Sequence, residues 1–441
     1  LPDKKQGGIM KTFLSMKWAF VVGLVALMTA APVFAQPTPP ANPPGPPAQT
    51  GAPVETVFTS KIGFFDNVQQ PGAQYPRVIQ LKYFPGAKGA LLATFSRRGD
   101  LPIYRSTDNG DTWQLYSEIP NLLGQPTLYE LPVKMGEFPA GTVMAAGNGA
   151  PGADPNRRTL DVSYSSDGGK SWHYLSTIAV GGPGRYDPAD RAGLSPNQNP
   201  IFEPYLYADS AGRLVAFYSD ERAKKDGFSQ LLDHKVSTDG GRTWGDQVYD
   251  VAIADGLTRP GMTVVAKDGH GKYYMSYEMV GLPGHALEPR NNLAHFRTSD
   301  DGDNFGDYRD YGTLIQDRWH QYLNGTPYIV WSPWGGPNGS LLATGRSVVR
   351  YDLGRVGNGM MINRNGGQGL WTLLETPIDF NPDTDGYSQT MIPLGDGSEI
   401  LQLVTVNSRV EYAKFKLPAE LPKYGFPWDG AKPTDARKVE D

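Results

Sequence analysis

The sequence predicts an all-β protein, a six-bladed β-propeller, and three observations carry the prediction. One eight-residue turn motif occurs four times, its copies roughly 60 to 70 residues apart, which marks a repeat architecture. A glycine turn leading into an apolar strand occurs six times in the same phase. The 53 Gly, 38 Pro and 23 Tyr among 441 residues favour short strands joined by turns, and no long stretch of helical apolar periodicity follows residue 35.

From the N-terminus, residues 10–35 read as a secretory leader. Lys11 and Lys17 form its charged start, Trp18–Ala31 its apolar stretch and Val33-Phe34-Ala35 its small-residue cleavage site; residues 1–9 read as an upstream extension before Met10. The apolar stretch is short for a bilayer span, so no membrane contact is expected after cleavage. Residues 36–53 (QPTPPANPPGPPAQTGAP) read as a Pro-rich linker in extended polyproline form. The propeller is expected over 54–418, with a tail at 419–441. The mature chain is expected to be secreted or periplasmic and monomeric. Without cysteine it has no disulfides, which a large core makes unnecessary. Loss of residues 1–35 removes four Lys and one Asp from a chain whose net charge is already −5. No basic stripe is visible, so nucleic acid is excluded as a partner.

Each blade is read as strand, glycine turn, strand, Asp-containing hairpin, strand. The glycine turns are Gly89, Gly141, Gly212, Gly271, Gly339 and Gly397. Ahead of them lie strands that begin Tyr75-Pro76, Gln125-Pro126, Glu203-Pro204, Arg259-Pro260, Thr326-Pro327 and Tyr387-Ser388, proline being tolerated where no ladder hydrogen bond is lost. The hairpins read Ser106-Thr-Asp108-Asn-Gly110-Asp-Thr112-Trp113, Ser165-Ser-Asp167-Gly-Gly169-Lys-Ser171-Trp172, Ser237-Thr-Asp239-Gly-Gly241-Arg-Thr243-Trp244 and Thr298-Ser-Asp300-Asp-Gly302-Asp-Asn304-Phe305. In each, Asp caps backbone N–H groups, Gly takes positive φ and the aromatic plugs the turn onto the sheet. A degenerate fifth copy, Asn363-Arg-Asn365-Gly-Gly367, runs into Trp371. A parallel β-helix or two β-sandwiches would lack this double phasing.

In a propeller the first strand of each blade lines the axis, so equivalent positions converge on one mouth. One expected ring is Tyr75, Gln125, Glu203, Arg259, Thr326 and Tyr387. A second is Ser96, Asn148, Ser219, Glu278, Arg346 and Val404, with Arg77, Arg97, Arg98, Asp100, Asp220 and Arg222 nearby. Glu203 and Glu278 stand out because a carboxylate within an apolar strand is expensive unless paired or functional. Two carboxylates facing one cleft suffice for glycoside hydrolysis; the competing reading makes each a salt-bridge partner of Arg259 or Arg346. Arg77, Arg259 and Arg346 suit either a substrate carboxylate or the two glutamates. The six histidines show no metal-ligand spacing and read as structural or surface residues. No cofactor or metal is expected, and an oligo- or polysaccharide is the expected partner.

The hairpins and their phase resemble the sialidase superfamily over 55–418, a likeness that specifies a fold more than a reaction. The inner motifs Phe202-Glu-Pro-Tyr-Leu206, Tyr218-Ser-Asp-Glu-Arg222, Thr258-Arg-Pro-Gly-Met262 and Gly271-Lys-Tyr-Tyr-Met-Ser-Tyr-Glu278, with the third hairpin, resemble glycoside hydrolase family 93. Those enzymes are exo-α-1,5-L-arabinanases that release arabinobiose with retention. The resemblance implies Glu203 as nucleophile, Glu278 as acid/base and Tyr387 near the reacting sugar. The alternative is an exo-α-sialidase, in which Tyr387 attacks with Glu278 activating it. Asp100 is then the acid/base, and Arg77, Arg346 and either Arg290 or Arg297 grip a carboxylate. That family's Arg-Ile-Pro order is absent here, where the chain reads Tyr75-Pro76-Arg77-Val78. A non-catalytic carbohydrate-binding propeller is the third reading. Walls for an exo-acting cleft are expected in the insertions at 147–160, 180–200 and 280–292.

Overall fold

The computed structural model describes residues 63–65, 73–97, 101–150, 156–183, 198–281, 292–350 and 354–422. All lie within the compact unit Ala52–Asp441. The expected leader and most of the linker precede that unit, outside the described residues. Among the described residues no helix is long and apolar enough to cross a membrane.

Six antiparallel sheets form the six blades of a propeller. Blade one runs Gln74–Gln80, Leu91–Ser96, Leu101–Ser106 and Gln114–Ile119; blade two runs Leu122–Glu130, Val143–Gly149, Arg158–Ser165 and His173–Gly181. Blade three runs Ile201–Ala208, Leu214–Asp220, Leu231–Ser237 and Val248–Val251. Blade four begins Arg259–Lys267, Tyr273–Val280 and Asn292–Ser299, with the short strand Thr313–Leu314 beside the third. Blade five runs Tyr328–Ser332, Ser340–Thr344, Met360–Asn363 and Thr372–Leu374.

Two features go beyond the repeat. Blade four is extended by Gln321–Asn324, Ser347–Arg350 and Gly354–Gly357 into a sheet of seven strands. The last two strands come from the connection between the second and third strands of blade five, so blade five completes its neighbour. Blade six, Thr390–Leu394, Glu399–Val406 and Arg409–Lys416, takes its outer strand Gly63–Phe64 from the other end of the chain, through Gly63↔Tyr412 and Phe64↔Glu411. Phe65 fastens this closure, its ring lying 4.9 Å from Trp113, 5.0 Å from Tyr104 and 5.3 Å from Tyr412.

The repeated turns join the third and fourth strands of a blade. In the first, Ser106 Oγ accepts from Gly110 N–H at 2.8 Å and Asp108 Oδ1 accepts from Thr112 N–H at 3.0 Å. The same bonds recur around Ser165 and Asp167 and around Ser237 and Asp239. Their tryptophans reach the preceding blade: Trp172 Nε1 donates to Ser117 Oγ and Trp244 Nε1 to Ser176 Oγ. The turns are therefore also inter-blade fasteners. In the degenerate copy Asn363 Oδ1 accepts from both Asn365 and Gly367 N–H, taking the part that serine plays in the other turns.

The fourth turn differs from expectation by one residue. Asp301, not Asp300, accepts from Ser299 Oγ and from the N–H groups of Asp303 and Asn304. The side chain of Asp300 is 95 % exposed. The turn is one residue shorter than its siblings, so Ser299 closes directly on Gly302.

Blades three and four, which carry the two glutamates, are joined by a chain of charged groups that is buried at His234 and Asp250 and half-buried at Asp303 and Arg213. His234 holds Asp250 through Nδ1 at 2.7 Å and reaches Asp303 of the fourth turn through Nε2 at 3.1 Å. Asp303 in turn accepts from Arg213 at 2.7 Å. Burial opposes the charge on His234, but Asp250 and Asp303 outweigh it and raise the imidazolium's pKa to about 9.

Replacing Asp301 by Ala is expected to lower stability by about 1 to 2 kcal/mol in a urea melt, because two backbone donors lose their acceptor. Asp300→Ala should change nothing measurable. The His234 contribution is fully present below the unfolded pKa of about 6.5 and is lost as pH rises through about 9. Thermal melts between pH 6 and 10 should show this loss, and His234→Gln should abolish it.

Candidate active site

The inner strands of blades one to four are interrupted near the mouth by a bulge. Pairing jumps between Gln74 and Arg77, Gly124 and Thr127, Phe202 and Tyr205, and Gly261 and Val264. The first residue inside each jump has positive φ: Tyr75 (55°), Gln125 (50°), Glu203 (61°) and Met262 (61°). Thr326 (43°) and Ser388 (56°) continue the series in blades five and six. Such conformations are rare in non-glycine residues and recur where a bulge re-aims a side chain.

This corrects the first ring at two positions. Met262 and Ser388 take the places assigned to Arg259 and Tyr387. The proline that follows the position elsewhere lies three residues early in blade four, and in blade six no proline marks it. Ladder pairing supports the second ring through Gln74↔Ser96, Gly124↔Asn148, Phe202↔Ser219 and Gly261↔Glu278, and Arg346 N–H donates to the Gly325 carbonyl. Blade six again slips by one. Gly386 N–H meets the Thr405 carbonyl, while Val404 packs with Ile378 and Phe380.

Glu203 is half-buried and strongly held. Its Oε1 accepts from Tyr75 Oη at 3.1 Å, and Oε2 accepts from Ser219 Oγ at 2.9 Å and Met262 N–H at 3.2 Å. Gln125 closes the frame, donating to Tyr75 Oη at 3.0 Å and accepting from Glu203 N–H at 3.1 Å. Four blades thus fix one carboxylate. Burial raises its pKa, while Ser219, Tyr75, Met262 N–H and the charge of Arg259 oppose the rise by favouring the ionised form.

Glu278 is buried and accepts one recorded hydrogen bond, from Thr326 N–H to Oε2 at 2.7 Å. Burial, then the charge of Glu203, lift its pKa to about 7 against the Thr326 N–H and the charges of Arg259 and Arg346. The two carboxylates therefore share one electrostatic site. Tyr387 completes it: its ring meets that of Tyr75 edge-on at 5.2 Å, with the Arg346 guanidinium 5.3 Å from its centroid. Burial, Glu203 and Glu278 raise the pKa of its phenol, which stays protonated at neutral pH.

The arginines are largely engaged with protein. Arg77 is buried and donates to the Pro76 and Ser388 carbonyls and to Ser388 Oγ, tying blade one to blade six. Arg346 donates to the Asp385 and Asp383 carbonyls and so holds the loop before Tyr387. Arg259 donates to Glu221 Oε1 at 2.5 Å and Gln230 Oε1 at 2.6 Å. Arg297 is buried and donates to the Asp250 carbonyl, beside the His234 chain rather than the glutamates. Asp220 and Arg222 pair at 2.6 Å and share Gln247; no recorded contact joins them to Glu203 or Glu278 among the described residues. Asp100, Arg98 and Arg290 lie outside the described residues, as do 151–155, 184–197 and 282–291 of the proposed walls. Glu221 and Gln230 had no role in the sequence reading, although Glu221 sits inside the quoted Tyr218–Arg222 motif. Among the described residues no group of three or more His, Cys, Asp or Glu could hold a metal ion.

The structure is similar to carbohydrate-active propellers. The GH93 α-L-arabinofuranosidase of Fusarium graminearum, in complex with arabinobiose, is 25% identical, covers 80% of this chain and 96% of its own, and aligns with a TM-score of 0.68. The Penicillium chrysogenum α-L-arabinanase complexed with arabinobiose is 29% identical over 78% of this chain and 94% of its own, with a TM-score of 0.67. The Hadza microbial sialidase Hz136, at 16% identity, 79% and 66% coverage and a TM-score of 0.51, shares the fold alone. No protein-family model and no curated protein sequence matches the chain.

Glu278 should titrate near pH 7 in a ¹³C-carboxyl NMR experiment. In Glu203→Gln the neighbouring negative charge is gone, and the midpoint should fall by about one pH unit. An unmoved midpoint would show that the two groups do not share a site.

Proposed function

We propose that this chain, whose propeller is similar to those of GH93 arabinan-degrading enzymes, is a secreted, exo-acting, retaining α-1,5-L-arabinanase that releases arabinobiose from linear arabinan. The observation that carries the reading is the pair of carboxylates over the hub with opposed proton demands. Glu203 is wrapped in donors that favour its anion. Glu278 has one donor, is buried and keeps its proton up to about pH 7.

In the first step Glu203 attacks the anomeric carbon of the second sugar from the non-reducing end. The glycosidic bond breaks, and Glu278 gives its proton to the departing oxygen. In the second step Glu278, now ionised, takes a proton from water, whose oxygen displaces Glu203 and restores the starting configuration. Retention requires the two carboxyl groups about 5 to 5.5 Å apart. Tyr387, held by Arg346 and the Tyr75 ring, serves as a protonated donor beside the reacting sugar.

Two observations weigh against the sialidase reading. A phenol flanked by two carboxylates resists ionisation. Arg77, Arg297 and Arg346 donate to protein carbonyls rather than converging on one point. Secretion rests on the leader-like segment at 10–35.

Incubation with debranched arabinan should yield a disaccharide by chromatography, and NMR of the first-formed product should show retained configuration. Glu203→Gln and Glu278→Gln should each lose on the order of 10³-fold in kcat, and Tyr387→Phe less. The wild-type rate should decline as pH rises through about 7, where Glu278 loses the proton it must donate. Cleavage of a sialoside, with Tyr387→Phe the more damaging change, would overturn the proposal.

A further inference from the structure

Next to the glutamates lies a second chain of buried charges that the mechanism does not use. Arg259, at the start of the inner strand of blade four, donates through Nη2 to Glu221 Oε1 at 2.5 Å, to Gln230 Oε1 at 2.6 Å, and through Nη1 to the Ser229 carbonyl. Glu221 Oε2 takes Lys224 Nζ at 2.5 Å, and Lys224 also donates to the Gln198 carbonyl. The side chains of Glu221 and Lys224 are each 4 % exposed and that of Arg259 is 13 % exposed, so water screens the chain weakly.

We propose that Glu221 is a positioning residue for the acid/base Glu278, compensating the charge of Arg259 and Lys224 so that Glu278 keeps the proton it donates. The inference rests on the reading of Glu278 as general acid. Its physical content is a balance of charges. The pairs Gly261↔Glu278 and Arg259↔Val280 set Arg259 two residues along the ladder from Glu278, the Thr326 N–H donates to the acid, and the charges of Glu203 and Arg346 and the phenol of Tyr387 complete its surroundings. Arg259 and Arg346 favour the ionised acid and Glu203 disfavours it. Two cations border Glu221, and without its charge Arg259 would act on the acid uncompensated. The sign does not depend on any movement of Arg259, because removal of one buried negative charge already favours ionisation of its neighbours. The contacts to Gln230 and Ser229 hold the guanidinium in place, so Glu221 compensates that charge at a fixed position.

The test uses the intact protein and follows the Glu278 carboxyl by ¹³C NMR, assigned by its disappearance in Glu278→Gln, alongside the pH dependence of kcat/KM on arabinan. In Glu221→Gln the Glu278 midpoint should drop by about one pH unit. The alkaline limb should drop with it, which is roughly a tenfold loss of rate well above the limb. Arg259→Met should move the midpoint upward and supplies the same test if Glu221→Gln does not fold. A folded Glu221→Gln with an unmoved midpoint overturns the proposal, and so does an unmoved midpoint in Arg259→Met. If the midpoints move as expected but arabinan is not hydrolysed, the charge balance stands and the arabinanase reading fails.

Discussion

The site depends on a local backbone constraint: near the mouth every blade carries a residue at positive φ, held in blades one to four by ladder pairing on either side. Glu203, at φ 61°, is the residue on which this matters most. In ordinary strand geometry its side chain would alternate toward a sheet face. The bulge turns it instead over the hub, where Tyr75 from blade one, Gln125 from blade two, Ser219 from its own blade and Met262 from blade four meet it. Such a conformation costs on the order of 1–3 kcal/mol per residue. It persists because the surrounding hydrogen bonds and six packed sheets over-determine it.

With that placement fixed, the chemistry follows from unequal solvation. Both carboxylates are shielded, but Glu203 accepts from three donors and Glu278 from one amide, with a neighbouring anion raising its pKa. On the proposed mechanism, a nucleophile and an acid are thereby made from the same side-chain type. The arginines that a reader of the sequence would assign to substrate act mostly on the protein. Arg77 staples two blades, Arg346 steadies the Tyr387 loop and Arg259 joins a buried ion chain. Their positive charge still reaches the glutamates, so they are electrostatic components of the site.

Much of this was legible in the sequence because it is written in local turn chemistry. Ser106, Asp108 and Gly110 state their own hydrogen bonds, and a glycine at a hairpin before an apolar run identifies the second strand of every blade. Four hub residues could be placed because a proline follows them. Where that marker was displaced or missing, in blades four and six, Arg259 and Tyr387 were put where Met262 and Ser388 stand. A one-residue contraction likewise moved the capping acid from Asp300 to Asp301. Pairing register decides such positions, and register is a property of two strands together. The Gly63–Phe64 strand was invisible because two residues carry no periodicity. The loan of Ser347–Arg350 and Gly354–Gly357 to blade four was hidden because pairing across blades leaves no local signature. Glu221 was in view but unassigned, since its meaning lies in Lys224 and Arg259 rather than in its own motif.

The closure of blade six by Gly63–Phe64 bears on how the ring comes into being. Its two halves are separated by almost the whole described chain, so their contact is among the most non-local in the protein. A growing polypeptide can complete blades one to three as each emerges. The last sheet must wait, with the Gly63–Phe64 strand unpaired and one strand edge open, until residues near 412 arrive. The interval before that clasp forms is when an incomplete chain is most open to joining the edge of another molecule.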